Sequence, residues 1–312
     1  IIEEAKSSID WVRKNKKPLF HLVNTYRLKA HSKGDDDRDK KEIQDYEKLD
    51  FLNILENDDP DYYSKQNSKI KQEVSDFIKE ALLRDEQLPE QYMPVEIDSS
   101  NDKISFTNHI QDKQRFIKKI NNSFNKILKN EKTIFIGEDI LDPYGGAFKV
   151  SKGLSDKFPK KVIGTSISEG LIAGVSNGLA LNGYKPFAEF MFGDFTALAF
   201  DQMLNHASKV YNMYNKKVTC PVVFRTPMGG GRGYGPTHSQ TLEKHYLGMD
   251  NFVICATNRY IDPDIILTYA YNRIHPTLII ENKVDYGKNA ILSLPEGYIS
   301  ELSVEDLPSL LV

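Results

Sequence analysis

The sequence predicts an α/β domain built on a parallel sheet, preceded by a charged helical region. Three observations carry this. From residue 133 onward, short apolar runs alternate with helical patterns, as in a parallel sheet covered by helices on both faces. One of these runs closes into T-S-I-S-E and a helix rich in small residues, G-L-I-A-G-V-S-N-G-L-A-L-N-G. Composition also changes near residue 90, before which charged and helix-forming residues dominate.

Taken in order, Pro18 to Thr25 (P-L-F-H-L-V-N-T) reads as a buried strand, and a polar loop runs from Tyr26 to Lys40. Residues 41–57 place Ile43, Tyr46, Leu49, Leu52 and Leu55 on one helical face. Residues 61–84 form a second amphipathic helix, and residues 88–104, with Pro89, Pro94 and an S-S-N-D run, read as a linker. A helix follows with Phe116, Ile117, Ile120, Phe124 and Ile127 on one side. Strands are predicted at Thr133–Gly137, Lys161–Ser166, Pro186–Phe190, Pro221–Arg225, Phe252–Ala256 and Pro276–Glu281. A long helix is predicted over 196–214, with Phe200, Met203, Leu204, Ala207, Val210, Tyr211 and Tyr214 at helical spacing. The chain begins mid-pattern at Ile1 and stops at Val312 without a recognisable terminal element, so it is expected to be part of a longer polypeptide.

At 312 residues the chain holds one large domain or a domain with an appendage. A net charge of −3 gives no electrostatic case for nucleic acid or an anionic membrane as partner. No run approaches the roughly 20 apolar residues that cross a bilayer. Cys220 and Cys255 form no C-x-x-C and fall on apolar strands, so they read as reduced packing residues of a cytoplasmic protein.

The candidate site begins with Glu169. It stands at a strand end and in the first turn of a helix, where open α/β sheets keep their ligand crevices. A glutamate there is favoured by the helix dipole anyway. Its small neighbours Gly170, Ala173, Gly174, Ser176 and Gly178 add a demand for close approach, which is either packing or function. Phe195 stands beyond the next strand; a carboxylate with a flat aromatic face suits a planar heterocycle. The loop R-T-P-M-G-G-G-R-G-Y-G-P-T-H-S-Q ends at His238, an acid/base candidate or a structural histidine. This loop lacks the Lys-Ser/Thr ending of a phosphate loop and the spacing of a dinucleotide site. His31, in A-H-S-K-G-D-D-D, reads equally as part of a solvated acidic loop. No histidine has metal-ligand spacing.

In order, I-F-I-G-E-D-I, Y-G-G-A-F-K-V-S-K-G-L, T-S-I-S-E-G, A-E-F-M-F-G-D-F, F-D-Q-M-L-N-H-A-S-K, P-V-V-F-R-T-P-M-G-G-G, T-H-S-Q and I-I-E-N-K-V-D-Y-G make a specific succession. It resembles the pyrimidine-binding domain of the β subunit in the thiamine diphosphate-dependent first component of 2-oxo acid dehydrogenase complexes. T-Y-R-L-K-A-H-S-K-G-D-D and the two helices after it resemble the end of that family's α subunit. The resemblance implies a fused α–β chain with the thiamine diphosphate-binding fold. Residues 1–87 would be the C-terminal part of an α-like, diphosphate-binding domain and 88–104 the linker. Residues 105–290 would be the pyrimidine-binding domain, and 291–312 the start of a connection to a β C-terminal domain.

The implied activity is oxidative decarboxylation of pyruvate or a branched-chain 2-oxo acid, with acyl transfer to a lipoyl-bearing acyltransferase partner, an enzyme of the EC 1.2.4 type. Glu169 would hydrogen-bond the aminopyrimidine and favour the tautomer that activates the thiazolium. Phe195 would stack on the ring, the backbone of Ile167 would meet its amino group, and Glu138 would couple to Glu169. His238 and His31 match the family's two active-site histidines, and Ser32 a position phosphorylated in mitochondrial relatives. A homo-oligomer, with the cofactor at subunit contacts, is implied as well. T-S-I-S-E departs from the family, which usually has proline after the threonine. The family's magnesium-binding G-D-G is also absent; Gly34-Asp35-Asp36 and Gly193-Asp194-Phe195 do not match it. Magnesium ligands and a β C-terminal domain are therefore expected outside this chain, which by itself is expected to be inactive. Transketolase-like transferases, which share this domain, and a catalytically incomplete assembly module are the alternatives. A ketose donor assay separates the first; cofactor binding by the chain alone against the full-length protein separates the second.

Overall fold

A computed structural model describes residues 2–29, 38–84, 106–108, 111–292, 301–303 and 310–311. The chain divides into two compact units, Ile1–Ser99 and Ser100–Val312. The expected linker, 88–104, lies outside the described residues, as do His31 and Ser32.

The first unit contains helices α1 (Ile2–Asn15), α2 (Lys40–Glu47), α3 (Phe51–Asp58) and α4 (Pro60–Leu83), none of which buries a residue. The single helix expected over 41–57 is two. Asp50 turns its carboxylate onto the Leu52 and Asn53 amides, starting α3 and ending the run from α2. Asp59 then caps α4 by accepting from Tyr62 N at 3.1 Å, with Pro60 at the first helical position, where a missing N–H costs nothing. The strand expected over Pro18–Thr25 is not formed. Among the described residues no strand pairs with this segment, Pro18 offers no N–H, and Phe20 is 89% exposed. An apolar run without a ladder partner does not stay extended by its own propensity.

The second unit opens with β1 (Phe106–Asn108), α5 (Phe116–Ile127) and β2 (Thr133–Glu138). It continues through α6 (Leu154–Lys157), β3 (Val162–Thr165), α7 (Glu169–Leu181) and β4 (Lys185–Glu189). After β4 come a 3-10 turn (Gly193–Ala199), a π-helical turn (Gln202–Ala207) and the short α8 (Val210–Met213). The long helix expected over 196–214 is therefore broken into three pieces of different pitch. Its apolar residues still reach the core: Met203, Ala207 and Val210 are buried. β5 (Val223–Met228), β6 (Val253–Ala256), α9 (Pro263–Asn272) and β7 (Thr277–Asn282) complete the sheet. β8 (Glu301–Ser303) pairs antiparallel with both β1 and β9 (Leu310–Leu311) in a separate three-stranded sheet.

All six predicted strands from residue 133 onward form, and they pair in parallel in the order β3-β2-β4-β5-β7-β6. Side chains alternate between two cores. Ile134, Ile136, Ala188, Phe224, Leu278 and Ile280 face a cluster that holds Ile172, Ala173 and Met203. Phe135, Phe187, Val223 and Ile279 face the opposite cluster with Phe116, Ile120, Phe124 and Leu267. The strands read as continuous apolar runs because both faces are covered. The chain leaves β2 for β3 on one side and returns to place β4 on the other. The order thus reverses at β2, and the carboxyl ends of β2, β3 and β4 open the crevice where such sheets take ligands.

Cys255 lies on β6 and is buried; Cys220 is buried just ahead of β5 rather than on it. Burial pushes their thiols up to about 12 for Cys220 and about 11 for Cys255, so both stay protonated packing groups at neutral pH. No helix among the described residues is long and apolar enough to cross a membrane.

Candidate active site

Glu138 is the last residue of β2, and its register partner on β3 is Thr165. Four residues past Thr165 the chain turns into α7, whose first residue is Glu169. Both carboxyls are buried, at 3% exposure for Glu138 and 4% for Glu169. Burial, then the charge of Glu169, lifts Glu138 to about 7, against a backbone hydrogen bond from Met191 that pulls it down. Glu138 Oε2 and Thr165 Oγ1 are buried with no hydrogen-bond partner. Ile167, in the turn between β3 and α7, is 76% exposed. A strand end thus presents two interacting acids and two unmet polar atoms beside an open backbone turn.

The turn after β4 packs against α7, and this packing does not depend on the helix glycines Gly170 and Gly174. A Cβ on Gly170 would stand 3.4 Å from the Leu198 carbonyl oxygen and one on Gly174 3.4 Å from Gln202 Oε1, both ordinary van der Waals contacts. Gly193 has a strict reason: a Cβ there would overlap Cγ of Met228. This turn carries Phe195, half-buried, into edge-to-face contact with His238 at 5.1 Å between ring centroids. Phe192 meets the same imidazole at 4.8 Å and Phe195 at 6.1 Å.

The glycine-rich segment leaves β5 at Met228 and returns at a 3-10 turn, Pro236–His238. Its two ends are tied. Gly229 N donates to the Gln240 carbonyl, and Gln240 Nε2 donates to Asp194 Oδ1 at 2.8 Å. Lys283, fully buried just after β7, donates to the His238 carbonyl. Thr237 Oγ1 lies 2.9 Å from His238 Nδ1. A cavity of about 400 Å³ lies alongside, lined by Asp194, Ala197, Phe200, Gln240, Leu242 and His245 among others.

Behind the site is a buried ionic cluster. Arg225 on β5 donates through Nε to Glu281 Oε1 at 3.0 Å and through Nη2 to Oε2 at 2.5 Å, and also binds Glu189 on β4. Tyr286 donates to Glu281 Oε2 at 2.6 Å. Burial raises Glu189 against the pull of Arg225, with Glu281 adding to the rise. The two carboxylates hold the Arg225 guanidinium charged against its burial.

Residues 112–288 match the family described as transketolase, pyrimidine binding domain. The chain belongs to this family. Members of the transketolase pyrimidine-binding family similar to it include the pyruvate dehydrogenase E1 component subunit beta of Rickettsia conorii, 34% identical over 163 residues, or 52% of this chain and 50% of that protein. The mitochondrial E1 beta subunit of Homo sapiens is 34% identical over 160 residues, covering 51% of this chain and 44% of its own length. The chain spans about half the length of the curated relatives it matches. A solved structure titled split gene transketolase, inactive beta4 tetramer, aligns over 59% of this chain and 52% of its own, with a TM-score of 0.40 and 19% identity.

Within the pyrimidine-binding domain, the structure brings together Glu169 with Glu138, and Phe195 with His238. His31 lies outside the described residues. Sequence reasoning missed Lys283, Phe192, Tyr234 and the Arg225 cluster. The signals of Glu189, Glu281 and Lys283 were present in A-E-F and I-I-E-N-K-V-D-Y-G, where charged residues interrupt or directly follow otherwise apolar strands. Among the described residues no three histidine, cysteine or acidic side chains gather as a metal site.

Proposed function

We propose that this chain supplies the pyrimidine side of a thiamine diphosphate site in a 2-oxo acid dehydrogenase of the pyruvate or branched-chain type. The observation that carries the reading is the pair of buried acids, Glu169 and Glu138, at the switch point of the sheet. The unmet Glu138 Oε2 and Thr165 Oγ1 fit a heterocycle with ring nitrogens and an amino group, and the half-buried Phe195 fits its flat face. E1 beta relatives support the reaction class.

When bound, thiamine diphosphate supplies the electron sink for decarboxylation. Glu169 would hydrogen-bond a ring nitrogen of the aminopyrimidine. Glu138, lifted to about 7 by burial and then by the charge of Glu169, can hold a proton near neutrality. Phe195 would orient the ring by stacking, and the exposed backbone at Ile167 would receive its amino group. His238 would take or give a proton through its imidazole, whose Nδ1 meets Thr237. The second histidine is assigned to His31, and the modifiable hydroxyl beside it to Ser32. The magnesium ligands belong to the diphosphate-binding half, supplied by an α-like region of the same fused polypeptide. The acceptor is a lipoyl-bearing acyltransferase, and the working unit is a cytoplasmic homo-oligomer. We assign residues 1–87 to the α-like tail and 105–290 to the pyrimidine-binding domain.

The test uses the full-length protein with thiamine diphosphate and magnesium, following reduction of an artificial acceptor with pyruvate, 3-methyl-2-oxobutanoate and 2-oxoglutarate. Glu169→Gln is expected to lower turnover on the responsive substrate by at least about a hundredfold. Near-normal turnover in that variant sinks the cofactor assignment. Ketose transfer with no 2-oxo acid oxidation moves the reading to a transketolase-like transferase.

A further inference from the structure

Lys283 is buried with no carboxylate in contact with its ammonium among the described residues; the charge of Asp194 favours the ammonium from farther off, against its burial and the charge of Arg232. It follows β7 directly, at 0% exposure, and its amide donates to the Met228 carbonyl at the end of β5. The ammonium donates to the backbone carbonyl of His238 and lies 5.1 Å from the centroid of Phe192 and 5.4 Å from that of Tyr234. Phe192 and Tyr234 meet each other edge to face at 5.3 Å, and Phe192 touches both His238 and Phe195. Between β5 and His238 the chain has three glycines of positive φ at Gly229, Gly231 and Gly233, and a fourth at Gly235. Such a loop has many backbone states to lose on ordering. An apolar side chain would fill the same space at less desolvation cost, so a buried ammonium needs a reason in what it binds.

We infer that Lys283 is a positioning residue that clamps the carboxyl end of the glycine-rich loop and holds the His238 imidazole against Phe195. A carbonyl and two ring faces meet the cation and the charge of Asp194 adds to them; all four belong to the cluster that frames the imidazole and the loop end. Phe192 meets both the cation and the imidazole, so the ammonium fixes the ring as well as the loop. The inference rests on the proposed role of His238 for its functional meaning, while the clamp itself is a property of this chain.

The experiment compares Lys283→Met, of similar length but without a donor, with Lys283→Arg, which keeps one. Trypsin reads the loop directly, since Arg232 is exposed within it. Cleavage after Arg232, quantified by mass spectrometry, is expected to accelerate at least about tenfold in Lys283→Met and to return towards the parent rate in Lys283→Arg. The imidazole proton resonances of His238, displaced by the Phe192 and Phe195 rings in the parent, are expected to move towards free-histidine positions in Lys283→Met only. Unchanged cleavage and unchanged resonances in a folded Lys283→Met overturn the clamp. If that variant does not fold, Tyr234→Leu replaces it: it removes one ring from the cation and is expected to loosen the same loop, and an unchanged loop there overturns the clamp equally. In the reconstituted full-length enzyme, Lys283→Met should lower kcat with KM for the 2-oxo acid little changed. A loosened loop with kcat unchanged keeps the clamp and removes the functional role of His238.

Discussion

Glu138 gives the site a measurable pH signature. Its native pKa is raised from an ordinary 4.5 to about 7, chiefly by burial and next by Glu169. Between those values the native state holds a proton that the unfolded chain has lost, so stability falls as pH rises through this window. At ~1.4 kcal/mol per pH unit the loss is at most about 3.5 kcal/mol. Glu138→Gln, which cannot ionise, should show a stability advantage over the parent that grows from pH 5 to pH 7.5. Urea denaturation at a series of pH values checks this; an advantage independent of pH would mean the carboxyl is not the titrating group. Gly193 is the second residue with a sharp expectation. Because its Cβ would overlap Met228 Cγ, Gly193→Ala should cost about 1–3 kcal/mol and displace Phe195, with thermal unfolding and the aromatic NMR resonances as readouts.

Among the elements, β4, β5 and β7 are joined by more than their ladders. Glu189, Arg225 and Glu281 come one from each strand and meet in the interior. Removing the cation leaves two buried acids facing each other, so Arg225→Met should destabilise the domain by about 3–5 kcal/mol at neutral pH, and less at acid pH where both acids are protonated. Chemical denaturation at both pH values tests the sign. Lys119 makes a comparable tie outside the sheet, joining α5 to Asp262, the cap of α9, at 2.7 Å. The elements also mark where local pattern misled. Apolar spacing over 196–214 identified the buried face, and the pitch was set by packing of the 3-10 and π turns on α7. The break at Asp50 was legible as a cap signal inside a helical pattern, yet periodicity outweighed it.

For the whole molecule, burial is uneven. The strands of the parallel sheet lie between two apolar clusters, whereas α1 to α4 bury no residue. Amide exchange should therefore reach its slowest rates in β2, β4, β5 and β7 and be fast throughout α1 to α4, as hydrogen–deuterium exchange with mass spectrometry will read. The class of the second unit, its six parallel strands, the opening of α7 at Glu169 and the family were all written in the sequence. Each depends on period, on continuous apolar runs covered from both sides, or on short motifs, which neighbouring residues along the chain suffice to define. Tertiary structure alone decided that Pro18–Thr25 stays unpaired, that Glu138 is lifted by its own burial more than by Glu169, and that Lys283 reaches under His238. Strand pairing, desolvation and the meeting of residues 45 positions apart are set by what surrounds a group in space, and no local pattern encodes that environment.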